Sequence, residues 1–266
     1  MTQEPRQALL DYNREAWNEQ VKKKNRWTQP VSSATIADAR QGIWQIVLTP
    51  AKPVPADWFP DLKGCQVLCL ASGGGQQGPT LAAAGAQVTV FDNSDKQLEQ
   101  DLSVAKSENL SLETLQGDMA DLKAIPDNRF DLIVHPCSNT FVPDVRPVWK
   151  EAHRVLKPGG NLLSGFCNPI IFIFDDQQNQ KGILQVRHQI PYSDTLSLSD
   201  RERQKLVDAH EPFCFGHTLD DQIGGQIDAG FSITGFYEDY WSDENEPIDQ
   251  YIASFIATKA TKSSDL

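Results

Sequence analysis

The chain has 266 residues, ordinary apolar content and a formal net charge of −12. That length fits one large α/β domain, or a core domain carrying an insertion. The charge repels phosphate backbones and argues against nucleic acid as a partner, although "VKKKNRW" (21–27) is a local basic stretch that reads as a solvated helix face. Five cysteines, Cys65, Cys69, Cys137, Cys167 and Cys214, lack the paired short spacings of a disulfide framework or a zinc site. No metal is expected, and a reducing cytoplasm fits such free thiols. The polar N-terminus does not read as a signal peptide, and no apolar run is long enough to cross a bilayer, so no membrane partner is expected.

Residues 6–26 read as a helix, with Leu9, Leu10, Asn13, Trp17 and Val21 on one face. "SSATIADARQG" (32–42) predicts a second helix with a Ser cap and a Gly stop. "IWQIVLTP" (43–50) reads as a short strand, and the proline-rich stretch after it as a stiff connector. From Gly64 the chain alternates apolar strands and helices. Strands are expected at 65–70, 86–92, 112–118, 130–136 and 161–167, with helices at 78–84, 94–109 and 145–160. Apolar strands that do not alternate predict a parallel sheet covered on both faces, doubly wound by right-handed crossovers. Residues 169–230 break that rhythm and read as an inserted cover. It holds strand-like runs near 170–176 and 183–199 and a helix at 199–213. Two final strands, "FSITGFYEDYW" and "YIASFIATKA", flank an acidic linker (242–249) too short for a crossover helix, so they should run antiparallel. The expected division is a helical lid and connector at 1–63 and a core at 64–266 with the cover inside it.

The strand "VLCL" runs straight into "ASGGGQQG" (71–78), a glycine turn before a helix. In an open α/β sheet, that crevice at the strand's carboxyl end is where ligands bind. Gly73, Gly74 and Gly75 would let a ligand lie on the backbone, facing free N–H groups and a helix N-terminus. Asp92 ends the next strand at the distance where a carboxylate accepts from both hydroxyls of a ribose; capping the following helix is its alternative role, which Asn93 or Ser94 could also fill. Asp118, ending the third strand, could take an adenine amino group while Met119 offers its N–H, or act as a turn residue. Together these describe an adenosine pocket. Gly73, Gly75 and Gly78 also keep the register of a dinucleotide loop, so a nicotinamide cofactor stays open, without a Tyr-x-x-x-Lys to serve it.

Residues 64–167 resemble a class I S-adenosylmethionine-dependent methyltransferase of the type 11 group. The resemblance rests on "VLCLASGGG", "VTVFDNS", "GDMADL", "FDLIVHPCSNTFVPD" and "EAHRVLKPGGNLLSGF". It implies a seven-stranded Rossmann-like sheet of order 3-2-1-4-5-7-6 with a reversed last strand, and S-adenosyl-L-methionine as cofactor. The chain departs from the family in two places: Cys69 stands where an acid is usual, and Ala71 where the first glycine is usual. Backbone carbonyls at Ala71, Ser72 and Gly73, or Gln76, would then hold the methionine amino group. In the family's geometry the end of strand four, His135 to Thr140 with Pro136 among them, faces the methyl group. That makes Ser138 a candidate for cofactor or acceptor, and Asn168 another; turn chemistry is the alternative for both. His217 in the cover is a candidate base, or a structural partner, and His135 reads as packing at the strand end. Trp17 and Trp27 would line an N-terminal lid over the cofactor. The expected activity is in-line methyl transfer to a small-molecule acceptor by a cytoplasmic monomer or homodimer. A non-catalytic binder of the cofactor or its product, and an NAD-dependent oxidoreductase, are the alternatives.

Overall fold

The computed structural model describes residues 3–241 and 246–264. Its centre is a seven-stranded sheet made of β1 (Gln66–Leu70), β2 (Gln87–Asp92), β3 (Leu112–Gln116), β4 (Phe130–His135), β5 (Leu156–Cys167), β6 (Phe231–Asp239) and β7 (Phe255–Lys262). The spatial order is β3-β2-β1-β4-β5-β7-β6. The first five strands pair in parallel, and β7 runs antiparallel to both β5 and β6. This is the doubly wound Rossmann-like sheet expected, reversed strand included. Both faces are covered, so the central strands are apolar at successive positions. Val67, Cys69, Val90 and Val134 pack on one face with Leu48 and Leu81. Leu68, Leu70, Ile133 and Leu162 pack on the other with Trp149 and Ala152.

The main helices are α1 (Gln3–Lys22), α2 (Ser33–Arg40), α3 (Gln77–Ala83), α4 (Asp95–Ser107), α5 (Arg146–Val155) and α6 (Asp200–Ala209). Ser32 caps α2 through the Thr35 amide, Ser94 caps α4 through that of Gln97, and Ser199 with Glu202 forms a reciprocal capping box on α6. The helix expected to run to Gly160 stops at Val155. Pro158 disfavours helical backbone just before it, Leu156 is already extended, and Gly159 takes a left-handed φ of 80°.

Two strand readings are corrected. Residues 43–50 form no strand; apart from one bridge, Val47 to Pro53, they cross the sheet end as irregular chain. Their polar groups bond elsewhere: the Leu48 carbonyl accepts from the Cys137 amide, and the Val47 carbonyl from Gln77 Nε2. The strand-like runs after β5 also fail to join the main sheet, because β7 already holds the free side of β5. They form short turns and helices (Pro169–Ile173, Asp176–Asn179, Asp194–Ser197), a bridge between Phe174 and Val186, and a two-residue pairing of Tyr192–Ser193 with Phe215–Gly216. Of the acidic linker, residues 242–245 lie outside the described residues.

Candidate functional site

A cavity of about 280 Å³ opens at the carboxyl ends of β1, β2 and β4, with α1 and the 26–29 turn against it. Ala71, Ser72, Gly73 and Gln76 line its floor. Gly74 and Gly75 do not. Their left-handed backbone, φ 118° and 74°, is packed against protein. A Cβ on Gly74 would lie 3.1 Å from the Trp27 carbonyl, and one on Gly75 3.1 Å from the Gln100 carbonyl. Ala71 also has a positive φ, 48°, so an alanine stands in glycine-like backbone.

The loop amides do not face the cavity as expected. Gly73 N–H donates to Asp92 Oδ2, and Gly74 N–H to Asp101 Oδ2, both over 2.9 Å. Two consecutive donors are therefore turned onto carboxyl groups of β2 and α4. An anion on the loop would find those donors consumed and two acids behind them. Asp101 was not singled out from the sequence, where it reads as one more polar residue of an amphipathic helix. Its burial comes only from the tertiary seat of the loop. Gln76 is likewise committed: Nε2 donates to the carbonyls of Arg26 and Gln29, tying the loop to the 26–29 turn.

Asp92 lines the cavity at the end of β2. Oδ1 accepts the Ser94 amide at 2.9 Å while Oδ2 accepts Gly73, so one carboxylate serves the turn and fixes its own direction. Burial raises its pKa against the opposing pull of those amides. Asn93 and Met119 line the same end, with Phe91 and Gln97, which the sequence reading missed although both flank the ribose motif. Asn93 Nδ2 donates to the Leu10 carbonyl of α1 at 2.8 Å. Asp118 is also at the wall; Oδ1 takes the Ala120 amide, and Oδ2 forms a 2.6 Å ion pair with Arg6 of α1.

Trp17 and Trp27 both border the cavity. Trp17 meets Phe141 edge-on at 5.1 Å, and the Arg26 guanidinium lies 4.3 Å over Trp27. The buried Asn13 joins α1 to the cover: Nδ2 donates to the Phe141 and Phe213 carbonyls and Oδ1 accepts the Phe213 amide.

At the other end stand Pro136 and Ser138, with Leu48, Cys137, Cys167, Trp241 and Phe255. The Ser138 hydroxyl donates to the Pro136 carbonyl at 2.9 Å. Cys137 and Cys167 touch thiol to thiol, and burial pushes Cys137 well above the ordinary thiol range. The sequence signal for this wall was slight: two cysteines after adjacent strands, and an apolar run mistaken for a strand. Asn168 and His217 are not among the lining residues. Asn168 caps the turn at 169–173 and donates to the Ala253 carbonyl at 3.0 Å. His217 is buried, and Nε2–H donates to the Asn139 carbonyl at 3.1 Å. His135 is buried too, donating from Nδ1 to the Leu70 carbonyl, and burial lowers its pKa to about 4. The aromatics of the cover pack on each other and on α1, Phe172 stacking on Tyr192 and Phe213 on Tyr12. Among the described residues, no group of three or more His, Cys, Asp or Glu side chains is placed to hold a metal ion.

Residues 68–164 match the methyltransferase domain family. Over 255 residues the chain is 52% identical to the Bacillus subtilis methyltransferase YbaJ, spanning 96% of this chain and 99% of that one. The chain belongs to the methyltransferases. Solved structures share the fold: an S-adenosylmethionine-dependent methyltransferase from Mesorhizobium loti (TM-score 0.57, 20% identity, 77% of this chain and 94% of that one) and one from Methanosarcina mazei (TM-score 0.56, 17%, 81% and 100%).

The residues of the cavity fit S-adenosyl-L-methionine, the cofactor of those fold neighbours. Each Asp92 oxygen already accepts one backbone amide and keeps a second lone pair for a ribose hydroxyl. Gly73 leaves a cradle that a side chain would fill, since a Cβ there would lie 2.7 Å from Gln97 Cβ. The carboxyl groups behind the loop suit the positive charge of a sulfonium and an ammonium.

Proposed function

We propose that this methyltransferase acts on a small-molecule acceptor by in-line displacement, with the adenosine held by Asp92, Asn93, Asp118 and Met119. The observation that carries the reading is the Asp92–Gly73 bond at the cavity floor, which sets a carboxylate on the ribose side of a loop that has no room for a Cβ. When bound, S-adenosylmethionine supplies a methyl group already activated by its sulfonium. The chain's part is then to bind, align and exclude water. Trp17, Trp27 and α1 would close the adenosine side. Ser138 and Pro136 would border the methyl side, where the carbonyls of Ala71 to Gly73 would receive the ammonium.

The far wall favours an apolar acceptor, because Leu48, Trp241 and Phe255 present no charge. It also argues for an acceptor whose nucleophile needs no strong base. Among the described residues, the ionisable groups of that wall are the Cys137 and Cys167 thiols, and the carboxyls that line the cavity stand at the adenosine end. Asn168 and His217, set apart from the wall, would support the cover. The NAD reading loses ground because Gly73 and Gly74 direct their amides at carboxyl groups, away from any pyrophosphate.

The test is calorimetric titration with S-adenosylmethionine, S-adenosylhomocysteine and NAD, followed by transfer of a labelled methyl group to fractions of small apolar metabolites. Adenosyl binding lost in Asp92→Ala, with label entering a small molecule, is expected. NAD binding alone would sink the reading. Adenosyl binding with no label transferred would favour a non-catalytic binder.

A further inference from the structure

Asp101 is fully buried on α4, directly behind the glycine loop. Oδ2 accepts the Gly74 amide at 2.9 Å, while Oδ1, also buried, has no hydrogen-bond partner. The loop is fitted to it from two sides. A Cβ on Gly78 would lie 3.1 Å from Oδ1, and one on Gly75 3.1 Å from the Gln100 carbonyl beside it. Among the described residues, the charged group facing Asp101 is Asp92 of β2, another acid. The titratable neighbour on β1 is the neutral thiol of Cys69, and α3 and the loop present Gly78 and the backbone amides. A buried acid beside another acid is costly, and chains retain such a group where a positive charge arrives to meet it.

We propose that Asp101 is a positioning residue for the cofactor: it fixes the glycine loop through Gly74 and supplies the negative charge that draws the cationic methionine end onto that loop. This rests on the S-adenosylmethionine reading. Asp101 touches neither the cavity wall nor a reacting atom, so it acts through the loop and through its field. That charge comes from α4, behind β1, where the strand itself offers only Cys69. Burial pushes the Asp101 pKa up to about 7, so arrival of a cation at neutral pH also draws off part of a proton.

The experiment measures affinities of wild type and Asp101→Asn for three ligands of falling positive charge. S-adenosylmethionine carries a sulfonium and an ammonium, S-adenosylhomocysteine the ammonium alone, and methylthioadenosine neither. Asparagine keeps an oxygen for the Gly74 amide and removes the charge. The expected result is a loss of about tenfold for S-adenosylmethionine, less for S-adenosylhomocysteine, and a change within about twofold for methylthioadenosine. Equal loss of all three would make Asp101 merely structural and overturn the proposal, as would no loss at all. Wild type that binds none of the three would instead refute the underlying reading. Should the variant fail to fold, wild type alone decides. Its preference for S-adenosylmethionine over methylthioadenosine should fall between about pH 7.5 and about pH 5.5 as Asp101 is protonated. The ribose contacts of Asp92 are common to both ligands and divide out of that ratio; a flat ratio overturns the proposal.

Discussion

Asp92 and Gly73 stand 19 residues apart in the chain, yet the Gly73 amide donates to Asp92 Oδ2 over 2.9 Å. The bond joins the end of β2 to the turn after β1. It places a carboxylate against the one glycine of the triplet that lines the cavity. Asp92→Ala removes both the turn bond and the proposed ribose acceptor. S-adenosylhomocysteine affinity should fall by about 2–3 kcal/mol, the scale of hydrogen bonds to a charged group. Gly73→Ala should cost about tenfold in the same titration, since its Cβ would meet Gln97 Cβ at 2.7 Å and Asp92 Oδ2 at 3.1 Å. Circular dichroism should show both variants folded. Unchanged affinity in Asp92→Ala would remove Asp92 from the site.

Arg6 reaches from α1 to Asp118, the acid proposed for the adenine, and so ties α1 to the cavity wall. The pair is partly exposed, with 44% of the Arg6 side chain open to solvent, so its deletion should cost the empty protein less than about 1 kcal/mol. Its effect should appear in exchange. Arg6→Ala should release S-adenosylhomocysteine several times faster, read by stopped-flow fluorescence of Trp17 and Trp27, with the melting temperature nearly unchanged. An unaltered release rate would mean that α1 does not move when the ligand leaves.

How much of this was legible beforehand depends on where each residue's role is decided. The strands were legible because Val67 to Leu70 and Leu132 to Val134 are buried on both sides, and a continuous apolar run records that directly. That Asp92 would stand beside Gly73 at the end of β2 was legible through their spacing. Residues 43–50 carry the same apolar composition as a strand, but whether they pair depends on a free sheet edge, which is a property of the finished fold. Asp101 lies in "EQDLSVAK", where nothing local marks it as buried. The direction of the Gly73 and Gly74 amides was misjudged for the same reason: the carboxyl groups that capture them come from other elements. Asn168 and His217 had the right chemistry for a site, but their partners are the backbone carbonyls of Ala253 and Asn139.

His135 should make the fold sensitive to acid. Its Nδ1–H is held by the Leu70 carbonyl, Nε2 is buried without a partner, and desolvation keeps the ring neutral down to about pH 4. The unfolded chain protonates near pH 6.5, so it binds the proton first as the pH falls. Stability should therefore drop from about pH 6.5 towards about pH 4, where the loss is complete. Asn in place of His135 keeps an amide donor near the position of Nδ1 and cannot take up that proton. His135→Asn should flatten this part of the urea-stability profile while costing about 1–3 kcal/mol at neutral pH for the lost ring. An acid limb of unchanged steepness would assign the sensitivity elsewhere.

Asp101 should act in the opposite pH range, and against stability. Its folded pKa of about 7 lies above the unfolded value near 3.9, so the folded state holds the proton longer. Stability from this group is fully present below the unfolded pKa and is lost as the pH rises through about 7. Asp101→Asn removes that loss. In urea titrations of the empty protein it should be more stable than wild type at about pH 8, by a few kcal/mol at most, and nearly equal to it at about pH 4. The same substitution should weaken S-adenosylmethionine binding, so stability and affinity would move in opposite directions at one residue. Added S-adenosylmethionine should narrow the gap at about pH 8, because wild type gains more from the ligand than the variant does. A variant less stable than wild type at both pH values would show that the buried carboxyl is a net stabilising part of the loop, and the charge would need another explanation.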